Sequence, residues 1–201
     1  MTRGAASGRA AAVALAFALA ACAGLQPPES VPATAAASDE PFVIAGRMSA
    51  RRGDAGVAGA FTWTHDAGRD AIDLATPLGQ TIAQLDGGAR GVTVRLQDGR
   101  TETAATWREL TERAFGVVIP VDGLAAWVRG VPRAGAQATI ERDAAGRVSL
   151  LRQDGWEVTY AYADDASRRP SRVNLSYPGA PPVEIRVVVD RRGGAGDRAH
   201  D

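Results

Sequence analysis

Apolar and polar residues alternate along most of the chain. Val57, Phe61 and Trp63, for example, have the same parity, which places them on one face of an extended strand. Other alternating runs are separated by pairs such as Asp98-Gly99, and an Asp-Gly pair in that position is the strongest short signal of a β-hairpin. The pattern predicts about eleven strands, over residues 42–51, 57–63, 71–75, 81–85, 92–96, 101–104, 138–142, 148–150, 156–162, 173–177 and 183–189.

Two short segments in the middle of the chain follow a helical period instead. Thr106 and Glu109 form a capping box at the start of the first, and Gly116 can adopt the left-handed conformation that ends a helix. A second helix is predicted over 121–129, with Gly130 as its stop. Two short helices cannot cover both faces of a large sheet, so we expect a mainly β (α+β) fold with the helices across one face. Periodicity leaves open whether the space between the two layers is packed or is a cavity.

The N-terminus has the composition of a targeting segment. Arg3 and Arg9 supply positive charge, and residues 10–20 form an apolar run that is shorter than the roughly 20 residues a membrane-spanning helix needs. The run ends in Leu19-Ala20-Ala21-Cys22, the pattern of a bacterial lipobox, in which the cysteine thiolate accepts a diacylglyceryl group. We therefore predict that Cys22 carries a diacylglycerol and an N-acyl chain, palmitate for example. An ordinary secretory signal with a chance cysteine is the alternative.

The composition divides the chain into four parts. Residues 1–21 are predicted to be a lipoprotein signal peptide, and 22–41 the lipidated cysteine with a flexible Ala/Pro-rich tether. Residues 42–190 are predicted to fold as one domain, and 191–201 to form a disordered polar tail. Ala23 follows the cysteine, where an aspartate would favour retention in the inner membrane. We therefore expect a lipid-anchored protein of the outer membrane, with its domain in the periplasm.

The inventory of reactive side chains excludes several classes of function. The chain has 23 basic and 23 acidic residues, and the basic residues do not cluster in a stripe. The sequence therefore lacks the basic patch that binds nucleic acid. All the basic residues are arginines, which excludes P-loop and Schiff-base lysine chemistry. The two histidines, His65 and His200, are too few for the usual zinc sites, and no Gly-x-Ser-x-Gly elbow is present. We expect a protein that is not an enzyme and binds no metal or cofactor, apart from the lipid on Cys22.

The order and spacing of several segments behind the lipobox resemble the LolB family of outer-membrane lipoprotein receptors. The resemblance runs from about residue 42 to 189 and is carried by Gly46-Arg47-Met48-Ser49, Phe61-Thr62-Trp63, Thr76-Pro77-Leu78-Gly79, Gly116-Val117-Val118-Ile119-Pro120 with Leu124, Trp127 and Gly130, Gly155-Trp156-Glu157-Val158-Thr159-Tyr160, Pro170 and the closing strand over 183–189. Members of the family close with an aromatic residue after the last strand, whereas Asp190-Arg191 follow here.

The resemblance implies an incomplete antiparallel β-barrel with a lid of short helices over a hydrophobic cavity that takes acyl chains. It also implies a monomeric receptor that accepts lipoproteins from the periplasmic carrier LolA and inserts them into the outer membrane. Its partners would be LolA, the acyl chains of client lipoproteins and outer-membrane lipid. From the residues alone, Leu78 at the tip of the Pro-Leu-Gly loop is expected to pack into the core. The resemblance implies instead that Leu78 is the apolar tip residue that delivers cargo into the bilayer.

The predicted walls of the cavity are large apolar side chains, each of which could instead be plain core. They are Phe61, Trp63, Leu74, Trp107, Leu110, Phe115, Trp127, Trp156 and Tyr160. The alternative function is that of another lipid-binding or structural outer-membrane lipoprotein on the same scaffold.

Overall fold

The computed structural model describes residues 28–32 and 39–193. This part of the chain forms one antiparallel sheet and two short helices. The strands are β1 (Glu29–Pro32), β2 (Phe42–Arg52), β3 (Ala55–Asp66), β4 (Arg69–Ala75), β5 (Thr81–Gly88), β6 (Gly91–Leu96), β7 (Thr101–Ala104), β8 (Gln137–Arg142), β9 (Val148–Gln153), β10 (Trp156–Ala161), β11 (Arg172–Tyr177) and β12 (Val183–Gly193). The helices are α1 (Trp107–Phe115) and α2 (Val121–Trp127), between β7 and β8.

The sheet is open, as an incomplete barrel requires, and its strand order is β1-β8-β9-β10-β11-β12-β2-β3-β4-β5-β6-β7. The last strand, β12, pairs with β2 in the centre of the sheet, and β1 and β7 form the two edges. The segment that contains α1 and α2 therefore connects one half of the sheet to the other. This confirms the predicted fold class of a mainly β protein with a small helical layer.

Alternation produces one buried face, as the sequence predicted. Along β4, Asp70, Ile72 and Leu74 are buried while the residues between them are exposed. Thr106 caps α1 as predicted, because the N–H of Glu109 donates to Thr106 Oγ1 over 3.3 Å, whereas the Glu109 side chain accepts from Arg113 over 3.4 Å. Nearly every residue of α2 is buried, so tertiary packing stabilises this short helix. No helix in residues 28–32 and 39–193 is long and apolar enough to cross a membrane.

The structure differs from the sequence-based boundaries at both ends of the domain. The predicted flexible tether, 22–41, contains β1, which pairs with β8 and adds a twelfth strand because Val31 packs against the core. The predicted tail, 191–201, begins too early, because β12 continues to Gly193. Backbone pairing with β2 resumes after a register shift between Val189 and Arg191, and polar side chains do not interrupt it. Residues 1–27, which include Cys22 and the predicted signal peptide, and residues 194–201 lie outside the described part of the chain.

Candidate functional site

An apolar cavity lies between the sheet and the helical layer. Its volume is about 20 Å³, enough for roughly one water molecule. The strands β2 to β5 and β12 form one wall, and α1, α2 and their connection form the other. The lining residues are Met48, Phe61, Trp63, Ile72, Leu74, Leu85, Thr111, Phe115, Ile119, Val121, Leu124 and Val187.

Thr111 has the only hydroxyl among these lining side chains, and protein groups satisfy it. Thr111 Oγ1 donates to the carbonyl oxygen of Trp107 over 2.9 Å and accepts from the N–H of Ile119 over 2.9 Å. The hydroxyl therefore ties α1 to the α1–α2 connection and offers no free polar group to a ligand. The cavity suits hydrocarbon, which needs no hydrogen-bond partner.

Four of the nine predicted wall residues line this cavity: Phe61, Trp63, Leu74 and Phe115. The other five are Trp107, Leu110, Trp127, Trp156 and Tyr160, which are not among the cavity-lining residues and pack in the core. The sequence-based prediction favoured aromatic side chains and included Leu74, but it missed other aliphatic walls such as Ile72 and Leu85. The parity of Ile72 with Leu74 along one strand was the signal that could have identified them.

The aromatic residues outside the cavity hold the layers together. Trp127 Nε1 donates to Gln153 Oε1 over 2.9 Å, which fixes the end of α2 to β9. The Trp127 and Trp156 rings lie 6.4 Å apart, and Trp156 lies 5.1 Å from the ring of Tyr177. The hydroxyl of Tyr160 is buried and has no hydrogen-bond partner in the described part of the chain, and this burial raises the pKa of the phenol.

The turn between β4 and β5 presents Leu78 to solvent. The N–H of Gly79 donates to the Thr76 carbonyl oxygen over 2.9 Å, and the N–H of Thr76 donates to the Gln80 carbonyl oxygen over 2.8 Å. Gly79 has a φ of 81°, a left-handed conformation that glycine adopts without strain. Leu78 is 90% exposed and is the only large apolar side chain that is exposed in the described part of the chain.

A buried polar cluster, formed by Trp63, His65 and Asp70 with Asp39 at its edge, lies beside the cavity. Asp70 Oδ1 accepts from Trp63 Nε1 over 2.7 Å and lies 2.8 Å from His65 Nδ1. His65 Nε2 lies 3.2 Å from Asp39 Oδ1. Burial alone would lower the pKa of His65, but its interactions with Asp70 and Asp39 outweigh burial and raise it.

This cluster orients one wall of the cavity, because the hydrogen bond from Trp63 to Asp70 fixes the indole ring. Sequence reasoning did not find it, since the pairing of β3 with β4 brings His65 opposite Asp70. Residues 28–32 and 39–193 contain no group of three His, Cys, Asp or Glu side chains that could hold a metal ion.

Comparison with known proteins identifies the family. Residues 40–191 match the family model described as outer membrane lipoprotein LolB. The chain belongs to the LolB family. The match covers the whole sheet except β1 and the end of β12, and it contains the cavity, the polar cluster and the Leu78 turn.

Several curated LolB proteins resemble the chain over most of its length. The outer-membrane lipoprotein LolB of Cupriavidus necator is 37% identical over 180 residues, which cover 87% of this chain and 90% of the relative. The LolB of Azoarcus sp. is 38% identical and covers 75% of this chain and 77% of the relative. These relatives support the assignment of the chain as an outer-membrane lipoprotein. Among solved structures, a LolA superfamily protein from Nitrosomonas europaea is 9% identical, with a TM-score of 0.44, and the match covers 77% of this chain and 86% of that one.

Proposed function

We propose that this LolB protein acts in lipoprotein localisation, by taking the acyl chains of a lipoprotein beneath α1 and α2 and releasing them into the outer membrane. The observation that carries the proposal is the apolar cavity between the sheet and the two helices. The donor would be the periplasmic carrier LolA, as the family resemblance implies.

The physical chemistry of acyl chains supports this role. Each CH₂ group that is exposed to water costs about 0.8 kcal/mol, so a triacylated protein needs an apolar shelter in the periplasm. The apolar cavity walls would offer that shelter without specific polar contacts once the helices move away from the sheet. The sequence has no nucleotide-binding motif, so transfer would run downhill from carrier to receptor to bilayer.

The size of the cavity requires that the helical layer moves. A volume of about 20 Å³ is far smaller than an acyl chain needs, since small-molecule pockets measure roughly 300–1,000 Å³. We infer that the structure is the closed form and that α1 and α2 lift from the sheet when a chain enters. A permanently packed core would instead make the protein a structural lipoprotein, and the small volume is the observation that favours this second candidate.

Leu78 would serve the release step. A buried leucine gains roughly 1.5–3 kcal/mol over an exposed one, which is enough to hold the turn transiently in a bilayer but not to anchor the domain. The permanent anchor would be the lipid on Cys22, which acts independently of this turn.

Photocrosslinking tests the acyl-binding proposal directly. Benzoylphenylalanine would replace Phe115, which lines the cavity, or Thr159, which is exposed on the sheet, in the unlipidated chain. After incubation with lipoprotein-loaded LolA, we expect light to join the client's acyl chains to position 115 but not to position 159. Crosslinks of equal yield at both positions, or none at position 115, would favour the packed-core alternative.

A further inference from the structure

A buried arginine holds the C-terminal end of α2. Arg129 lies two residues beyond the helix, and its side chain is only 2% exposed. Its Nε donates to the Ala125 carbonyl oxygen over 3.2 Å, and its Nη1 donates to Glu40 Oε2 over 3.1 Å. Its guanidinium carbon lies 5.8 Å from the centre of the Phe42 ring. Arg129 therefore connects α2 to the segment that leads into β2.

The hydrogen bonds of this arginine are incomplete. Arg129 Nη2 is buried and has no hydrogen-bond partner among the residues that the structure describes. Glu40 is half-exposed and also contacts Arg169, at 3.4 Å, so it compensates Arg129 only in part. Burial lowers the pKa of Arg129, because the charged form loses hydration. An incompletely paired buried charge opposes the closed position of α2.

The same charge favours the open position. When α2 lifts, the guanidinium and its unpartnered Nη2 regain water. Lifting also exposes Val121 and Leu124, which line the cavity and resist opening. Hydration of Arg129 therefore offsets part of the cost of exposing the apolar face of α2. A methionine at this position would supply a similar apolar stem and no such offset.

We propose that Arg129 makes the lid, formed by α1 and α2, easier to open. Its contacts with Glu40 and Phe42 define where α2 rests, while its buried charge keeps the closed lid from becoming too stable to open. The inference rests on the proposed function, since it assumes that acyl chains enter beneath α2.

Substitutions at the two ends of the ion pair should act in opposite directions. Arg129→Met removes the buried charge, so α2 should open about tenfold less often, which corresponds to about 1.4 kcal/mol. Glu40→Gln leaves the guanidinium buried without its carboxylate, so α2 should open about tenfold more often. Arg133→Met is the matched control, because Arg133 contacts Asp154 at 2.8 Å on the surface of the adjoining segment.

Hydrogen exchange of the α2 amides in the ligand-free full chain measures the opening, and uptake of a fluorescent palmitate analogue measures loading. We expect both rates to fall in Arg129→Met, to rise in Glu40→Gln and to stay unchanged in Arg133→Met, with circular dichroism showing folded proteins. The inference is overturned if Arg129→Met opens α2 or fails to fold, because Arg129 would then simply hold the helix in place. If hydrogen exchange falls in Arg129→Met and rises in Glu40→Gln but neither chain takes up palmitate, the proposed role of Arg129 would be supported and the acyl-binding function would be contradicted.

Discussion

Leu78 combines two properties that rarely occur together, a large apolar side chain and almost complete exposure. In the unlipidated chain, Leu78→Asp should leave acceptance of a lipoprotein from LolA unchanged, because the turn lies outside the cavity walls. Delivery from the chain into liposomes should slow by about tenfold or more, since roughly 1.5–3 kcal/mol of apolar contact with lipid is lost. The two steps can be measured separately with purified components.

Gln80→Asp is the matched control for this experiment. It adds the same charge to the same exposed turn but keeps the leucine. Normal delivery by Leu78→Asp, or equal loss in both variants, would contradict a dedicated insertion role for Leu78.

His65 should make the stability of the fold depend on pH. Its pKa in the folded protein is raised above the ordinary 6.5 by Asp70 and Asp39, so its protonated form stabilises the fold. This contribution is complete below the unfolded pKa and disappears as pH rises through the folded pKa. The free energy of unfolding, measured with urea from about pH 6 to pH 9, should therefore fall more in the native chain than in His65→Gln. If the free energy of unfolding depends on pH in the same way in both chains, His65 has the same pKa in the folded and the unfolded state.

The sequence located the turn of the site better than its buried walls. Pro77 and Gly79 mark a turn locally, whatever the rest of the chain does. The residues alone favoured a Leu78 side chain packed into the core, and only the family resemblance favoured the exposed tip that the structure has. Cavity walls depend on how far each inward side chain stands from α1 and α2, which periodicity does not report. Trp127 faces inward as predicted, yet its indole reaches Gln153 on β9 and not the cavity.

At the scale of elements, the strands were predictable where side chains alternate, and β1 was not. Strand β1 has four residues and one apolar side chain, Val31, so it gives no periodic signal. The segment is a strand because it pairs with the free edge of β8. The pairing of β12 with β2 was equally hidden, because the register between strands that are distant in sequence is a tertiary property. The two helices of the lid were found because the first carries its own capping box and glycines follow both.

Gly46 explains one of the family segments in terms of backbone packing. A Cβ at this position would lie 1.9 Å from the Val188 carbonyl oxygen on β12, close to the register shift of that pair of strands. Gly46→Ala should therefore lower the free energy of unfolding by about 1–3 kcal/mol, as overpacking does. Urea denaturation checks the value.

Arg47→Ala is the control for Gly46→Ala. It removes only an exposed ion pair with Asp190, and such pairs contribute about 0–1 kcal/mol. If Gly46→Ala is as stable as Arg47→Ala, then β2 and β12 can move apart at Gly46 without a loss in the free energy of unfolding.

At the scale of the whole molecule, attachment and transfer are predicted to depend on different parts of the chain. Attachment is predicted to depend on the lipid of Cys22. Within residues 28–32 and 39–193, Val31 is the only residue of the predicted tether that packs against the core. Cys22→Ala should release a folded domain into the soluble periplasm, which membrane fractionation and circular dichroism would detect. A variant that stays in the membrane fraction would show that another part of the chain is the main attachment.

Under the proposed function, transfer depends on the lid and on the apolar interior beneath it, which receives the acyl chains. The most direct measurement is native mass spectrometry of the unlipidated chain after mixing with LolA that carries a triacylated client. We expect a one-to-one complex of the chain with the client and the appearance of empty LolA. The same client without acyl chains should form no complex. A chain that stays free beside loaded LolA, or that binds both forms of the client equally, would contradict acyl-chain binding by this protein.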